Sequence, residues 1–278
     1  MSANGRGRSR DCLLREIPDR VHIAPYLGSS APWDIHYYPA LDSTNRTVMD
    51  MALRGAPHGR VVTAGEQHAG RGRLGRVWHS PPDVNLYLSV LLRPTLEPSD
   101  AALLNFAAAL SAGEALASLG IANGIKWPND IVLGDRYLKV GGILSEMRAE
   151  HAGIEFVVIG LGINLNMPAT SLPDALRSRA TSTLAFTGRI LSRARVAAGF
   201  LSRLEKWMNL LCSGRRARVM AAWRERSITL GRRVEVSLGS ERVCGRAVEV
   251  DDDGTLWIEE GVRRRAVRCG DVQVIAAR

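Results

Sequence analysis

The pattern of the chain predicts an α+β protein: a mixed sheet flanked by helices, followed by a small β-barrel. Three observations carry this. Long apolar runs, Asn85–Leu92 and Phe156–Asn166, have the length and composition of buried strands. Between and after them stand helical repeats, Leu103, Phe106, Leu110 and Ala117, then Ala197, Phe200, Leu201, Leu204, Met208 and Leu211. From Gly231 the period changes to two, with Val234, Val236 and Leu238, then Val248 and Val250, then Leu256 and Ile258, turning at Asp251-Asp252-Asp253-Gly254.

In order, residues 1–32 are rich in Gly, Arg and Ser and then punctuated by Pro18, Pro25 and Pro32, which reads as a flexible, loosely held basic arm. Ile35–Tyr38 alternates as a first strand. Asp42-Ser43-Thr44-Asn45 precedes a helix through Val48, Met51 and Ala52 that ends at Gly55. All four residue types cap helices, and they can equally hydrogen-bond a small polar ligand at the helix N-terminus. Val61–Ala64 is a second strand leading to Gln67. Ser99-Asp100 is placed to cap the long helix that Gly120 stops, and Lys126-Trp127-Pro128-Asn129-Asp130 breaks a strand with turn-forming residues. Lys139 opens another strand with Gly141-Gly142 inside it, and glycines within strands mark close approach of a ligand or of backbone. Pro168–Thr183 reads as loop and short helix, and a further helical turn or two surrounds Val219, Ala222 and Trp223.

The chain has 278 residues, 46% hydrophobic and 23% charged, enough for one large domain and a small one. No apolar run approaches the ~18 residues of a membrane span, and no signal peptide is visible. Cys12, Cys212, Cys244 and Cys269 are scattered without a C-x-x-C pair, so neither zinc nor a disulfide framework is suggested, and reducing cytoplasm is favoured. The net charge of +9 is spread along the chain and forms no basic stripe of base-reading side chains.

Gly70-Arg71-Gly72-Arg73-Leu74-Gly75-Arg76 is poor core material. It suits a mobile loop that wraps a phosphorylated ligand, because glycine lets backbone N–H groups approach an anion and arginine offers a fixed fork of donors; a solvated basic turn is the structural alternative. The Gly-x-Gly-x-x-Gly spacing matches a dinucleotide fingerprint, but Pro81-Pro82 stops any helix after it and no acidic residue follows about 20 positions on, so that reading fails.

Taken together, Asp42-Ser43-Thr44-Asn45, Gln67 with Gly70–Trp78, Asn85–Ser89, Lys126–Asp130, Lys139-x-Gly141-Gly142-Ile143-Leu144-x-Glu146 and Gly160-x-Gly162-Ile163-Asn164 resemble the biotin protein ligase family. Order and spacing agree from about residue 35 to 166, and Gly270-Asp271-Val272 agrees in kind. The resemblance implies a class II synthetase-like catalytic domain (33–229) and a C-terminal SH3-like domain (230–278) that carries no chemistry of its own. It implies ATP and Mg²⁺ as cofactors, biotin as substrate, and a biotin carboxyl carrier protein or domain as partner. Biotin's carboxylate would attack the α-phosphate of ATP, giving biotinyl-5′-AMP and pyrophosphate, and a carrier lysine would then take the biotin.

By the same resemblance, Ser43, Thr44, Asn45 and Gln67 belong at biotin's polar ring, and Arg71, Gly72 and Arg73 close over the carboxylate and phosphate. Arg76, Trp78 and Asn164 belong to the nucleotide, Trp78 as its stacking partner. Lys139 and Arg73 are the expected catalytic residues, and Asp130 the expected group at Mg²⁺. Departures from the family's pattern stand at Gly65, where an acidic residue is common, at His68, and at Gly141, commonly alanine. A 32-residue arm is too short for a DNA-binding module, which needs roughly 55–65 residues for its own core. The expectation is therefore a monofunctional, cytoplasmic ligase, monomer or weak homodimer, with no DNA or membrane partner. A lipoate–protein ligase is the nearest rival, disfavoured by the complete Gly-Arg-Gly-Arg loop and the Lys-Trp-Pro-Asn-Asp motif.

Overall fold

Apolar alternation and helical periodicity resolve into two sheets in a computed structural model, which describes residues 9–150, 153–239 and 241–275, with only the backbone of residue 150. Two short helices come first, α1 (Arg10–Arg15) and α2 (Arg20–Ile23), with Ser9 and Asp19 accepting from the backbone N–H groups of Cys12 and His22. The larger sheet contains β1 (Asp34–Leu41), β2 (Arg60–Gln67), β3 (Leu86–Leu92), β4 (Gly124–Lys126), β5 (Asp130–Leu133), β6 (Leu138–Glu150) and β7 (Gly153–Ile163). Its order is β1-β2-β3-β7-β6-β5-β4. The β1–β2 pair is parallel and the rest antiparallel, so the sheet is mixed as expected.

Successive strand residues face opposite sides. Leu86, Leu88, Val90 and Leu92 of β3 and Val157, Ile159, Leu161 and Ile163 of β7 enter the main core. Leu91, Phe156 and Val158 face the other way, against Val48 and Ala52 of α3 (Thr44–Leu53). Burial on both faces explains why these strands read as unbroken apolar runs. The main core is closed by α4 (Leu103–Ala117), and, beyond the short α5 (Thr183–Thr187), by α6 (Arg193–Cys212) and α7 (Arg216–Arg226). Ser99 and Asp100 do not cap α4: they lie in a 3-10 turn, Ala102 occupies the cap position without a side-chain bond, and Asp100 pairs with Arg216 instead.

The expected loose arm is corrected from residue 9 onward; residues 1–8 lie outside the described residues. Glu16 and Ile23 are buried, and Glu16 Oε1 accepts from Ser192 Oγ at 2.7 Å and from the Ala194 N–H at 3.0 Å, capping the start of α6. Arg193, only 1% exposed, donates to the Glu16 carbonyl, and the Thr63 hydroxyl donates to the Pro18 carbonyl at 2.6 Å. Ile23 is also fully buried in the main core, with Leu27 and Ala31 packed against it, so apolar contacts and polar bonds together hold a segment that shows no regular period.

The C-terminal unit has β8 (Arg233–Leu238), β9 (Glu241–Val250), β10 (Leu256–Glu260), β11 (Arg263–Val267) and β12 (Asp271–Val274), in the antiparallel order β11-β10-β9-β8-β12. It is consistent with a small SH3-like domain. Its Val234, Val236, Ala247 and Ile258 continue the main core, and Trp127 Nε1 donates to the Gly254 carbonyl at 3.0 Å. The β9–β10 turn of this sheet therefore stands beside the β4–β5 hairpin.

Candidate functional site

On the α3 face of the sheet, a cavity of about 560 Å³ runs from the N-terminus of α3 to β12. Register builds its floor. Gly142 pairs with Gly162, Leu144 with Gly160, and Glu146 with Val158 across β6 and β7, placing these residues on the face shared with Val158. A Cβ on Gly162 would lie 2.6–2.8 Å from the Trp78 indole, and one on Gly160 would overlap the Asn45 amide. The glycines thus clear two shelves, one for Asn45 and one for Trp78. A Cβ on Gly141 would meet the Gly162 carbonyl at 3.1 Å, so glycine suits this strand as it is built.

One end of the cavity is a polar network. Gln67 Oε1 accepts from the Thr44 N–H at 2.9 Å, and Gln67 Nε2 donates to Ser80 Oγ at 3.0 Å. Ser89 Oγ donates to Asn45 Oδ1 at 2.5 Å and lies 2.7 Å from Thr44 Oγ1. Asn45 Nδ2 donates to Glu146 Oε2 at 2.8 Å. Ser43 is the α3 N-cap residue but makes no side-chain cap bond, and it faces the cavity. Ser43, Thr44, Asn45 and Gln67 therefore converge as expected. Gly65 stands just behind, where a Cβ would meet the Pro39 carbonyl at 2.6 Å and the Tyr37 hydroxyl at 2.8 Å, leaving no space for the acidic residue common in the family. His68 pairs with Glu66 at 3.5 Å.

The Gly70–Arg76 loop forms the lid. Arg71 pairs with Val77 in a single β-bridge, and the Gly72 N–H donates to the Arg76 carbonyl at 2.7 Å. Three anchors hold it where it stands. Arg71 Nη2 reaches both Glu146 oxygens at 2.6 and 2.7 Å. Arg73 donates to Asn129 Oδ1 at 3.0 Å and to the Gly270 carbonyl at 3.2 Å. Arg76 donates to Asp271 Oδ2 at 2.9 Å. Burial lowers the Arg73 pKa against the opposing charges of Asp130 and Asp271, whereas the hydrogen bond to Asp271 raises that of Arg76. The C-terminal unit, expected to contribute nothing, thus supplies Gly270 and Asp271 to the cavity wall.

At the β4–β5–β6 corner, Lys139 Nζ lies 2.6 Å from Asp130 Oδ1 and 5.3 Å from the Trp78 ring centroid. Lys126 Nζ lies 3.1 Å from Asp130 Oδ2. Burial alone would raise the Asp130 pKa; Lys139 and then Lys126 more than reverse this, and it falls below the ordinary carboxylate value. Mg²⁺ brought with ATP would be held by phosphate oxygens plus one or two carboxylates, and Asp130 is a carboxylate on this cavity wall. Both its oxygens face ammonium groups, and among the described residues no group of three or more His, Cys, Asp or Glu is gathered to hold an ion.

The far end is lined by Trp78, Met167, Leu172 and Leu176, an apolar slot suited to a planar ring. Asn164 lines it too, but its Nδ2 donates to the Thr181 carbonyl at 3.0 Å, so its amide is partly spent on holding the 164–181 loop. Trp78 Nε1 is buried with no hydrogen-bond partner in the described structure. Sequence reasoning missed Ser89, Glu146 and Asp271 as site residues. All three stood inside recognised motifs, but the side of its strand that Ser89 faces is set by register alone.

The model of the biotin/lipoate A/B protein ligase family matches residues 37–164. The chain is 34% identical over 275 residues to the biotin–[acetyl-CoA-carboxylase] ligase of Mycobacterium tuberculosis, covering 95% of this chain and 97% of that protein. It is 33% identical over 231 residues to the bifunctional ligase/repressor BirA of Bacillus subtilis, covering 82% and 70%. The solved biotin protein ligase from Aquifex aeolicus in complex with biotin and ATP superposes with a TM-score of 0.76 at 26% identity, covering 88% of this chain and 99% of that one.

Proposed function

Since the chain belongs to the biotin/lipoate A/B protein ligase family, we propose that it is an ATP-dependent biotin protein ligase. It activates biotin as biotinyl-5′-AMP and transfers it to a lysine of a biotin carboxyl carrier domain. The observation that carries this reading is the continuity of one cavity, in which the hydrogen-bonding network at α3 and the Trp78 slot share a glycine floor with Lys139 beside them.

Each half of the cavity has a matching task. Ser43, Thr44, Asn45 and Gln67 hold the ureido ring of biotin, with Ser89 and Glu146 fixing the orientation of Asn45. Trp78 carries the adenine over Gly162. Biotin's carboxylate oxygen attacks the α-phosphorus, and the bond from that phosphorus to the β-phosphate breaks. Charge gathers on the phosphoryl oxygens, where Lys139 and Arg73 are preorganised cations. In the second step the carrier amine attacks the acyl carbon and AMP leaves. The Arg71–Arg76 lid keeps water from the acyl-adenylate. ATP arrives with Mg²⁺, which its phosphates would hold and Asp130 would contact directly or through water.

No described helix is long and apolar enough to cross a membrane. The four cysteines are free thiols, in keeping with a reducing cytoplasm.

The test is ATP–pyrophosphate exchange with biotin and lipoate in parallel, followed by addition of a carrier domain. Biotin-dependent exchange and biotin on the carrier lysine are expected. Exchange with lipoate alone would move the chain to the other branch of its family, and exchange with neither acid would sink the ligase reading.

A further inference from the structure

Two of the cavity's cations have a carboxylate each, Arg73 is held by neutral acceptors, and one carboxylate serves two lysines. Arg71 has Glu146 and Arg76 has Asp271, but Lys126 and Lys139 share the single carboxylate of Asp130. With Lys139 at 2.6 Å, Asp130 is already balanced. Lys126 is then a surplus cation, 18% exposed at its side chain and with no second carboxylate among its described ion pairs. Withdrawing an ammonium from water without full compensation is costly. The cavity wall it occupies, beside Asn129 and within reach of the lid arginines, is where an incoming polyanion would complete the pairing.

Resting on the ligase reading above, we propose that Lys126 is a further catalytic residue: it binds the β-phosphate of the nucleoside triphosphate and stabilises pyrophosphate as it leaves. Asp130 is then the organiser of two lysines. It holds Lys139 on one oxygen at the bond-forming α-phosphate and Lys126 on the other at the departing group. As biotin's carboxylate oxygen bonds to the α-phosphorus, the electron pair of the breaking P–O bond passes to the β-phosphate oxygen. Lys126 donates a hydrogen bond there and remains protonated. Once pyrophosphate has left, Lys126 has no part in attack by the carrier amine, whereas Lys139 faces AMP in both steps.

The experiment uses the full chain and its Lys126→Met and Lys126→Arg variants. It measures biotin-dependent ATP–pyrophosphate exchange, and separately the transfer of biotin to the carrier domain from prepared biotinyl-5′-AMP. For K126M, kcat/KM for exchange should fall about 10²–10³-fold, the usual effect of removing one transition-state donor. The KM for pyrophosphate should rise in the reverse direction, and transfer from the prepared adenylate should be essentially unchanged. K126R should recover part of the exchange. Equal losses in both half-reactions would assign Lys126 to the fold and overturn the proposal, as would undiminished exchange. An unmodified chain without biotin-dependent exchange would overturn the ligase reading itself, a separate result.

Discussion

The indole of Trp78 rests on Gly162, so closely that a single added Cβ would stand 2.6 Å from its Cε2. Earlier on the same strand, Gly160 does the same for Asn45. The two glycines are alternate residues of β7 on one face, and each clears one half of the cavity.

Gly162→Ala should therefore act on the nucleotide alone. Overpacking costs roughly 1–3 kcal/mol, which corresponds to a rise in the KM for ATP of about 5- to 150-fold. The KM for biotin should stay near its original value. Steady-state kinetics with each substrate varied in turn checks this.

Gly160→Ala should show the mirror image. The new methyl group displaces the Asn45 amide from Ser89 and Glu146, and biotin affinity falls while ATP binding to the free enzyme persists. Calorimetric titration with each ligand separates the two. Equal losses for both ligands would mean that β7 itself had distorted.

Asp271→Asn removes the charge that holds Arg76 from the C-terminal unit. The pair is about half exposed, so the direct effect on stability is within ~0–1 kcal/mol. The expected result is an unchanged melting temperature and a KM for ATP raised several-fold, with faster proteolysis of the Gly70–Arg76 loop.

His58 gives stability a dependence on pH. Burial lowers its pKa from 6.5, opposed by Glu205, and its Nδ1 accepts the Arg93 N–H at 3.1 Å, which requires the neutral ring. Below pH 6.5 the unfolded chain binds this proton more readily than the folded one, so stability falls as pH drops through 6.5 toward the lower folded value and is fully present above it. Thermal melts at about pH 5 and 7.5 should differ, and His58→Gln should reduce the difference.

Glu16→Ala should destabilise the whole fold, because two donors at the start of α6 lose a buried acceptor. Each orphaned donor costs about 1–3 kcal/mol, and a fall in melting temperature of several degrees is expected. Deletion of residues 1–8 is the control for effects of the N-terminus in general.

Much of this site is legible in the amino-acid pattern, because its chemistry uses residue types that cores avoid. Glycines and arginines between Gly70 and Arg76, and glycines inside apolar strands at 141–142 and 160–162, stand out against their surroundings. Ser89 and Glu16 do not. A lone serine in a strand and a lone glutamate in a polar segment acquire meaning only from partners 44 and 176 positions away. Asp130 is legible as a site residue, but its pairing with two lysines is not, since the hairpin and β6 bring them to it.

By itself the sequence determined the main secondary elements from Ile35 onward, the change of period at Gly231 and many of the residues that bear the chemistry, because local patterning of apolar, glycine and charged residues encodes these directly. Only the tertiary structure decided which charges meet. Ion pairing depends on separations of a few ångströms between groups far apart in sequence, and strand register and the packing of β12 against the lid set those separations. It is this that placed Asp271 on Arg76, gave Asp130 two lysines, and turned an apparent loose arm into the cap of α6.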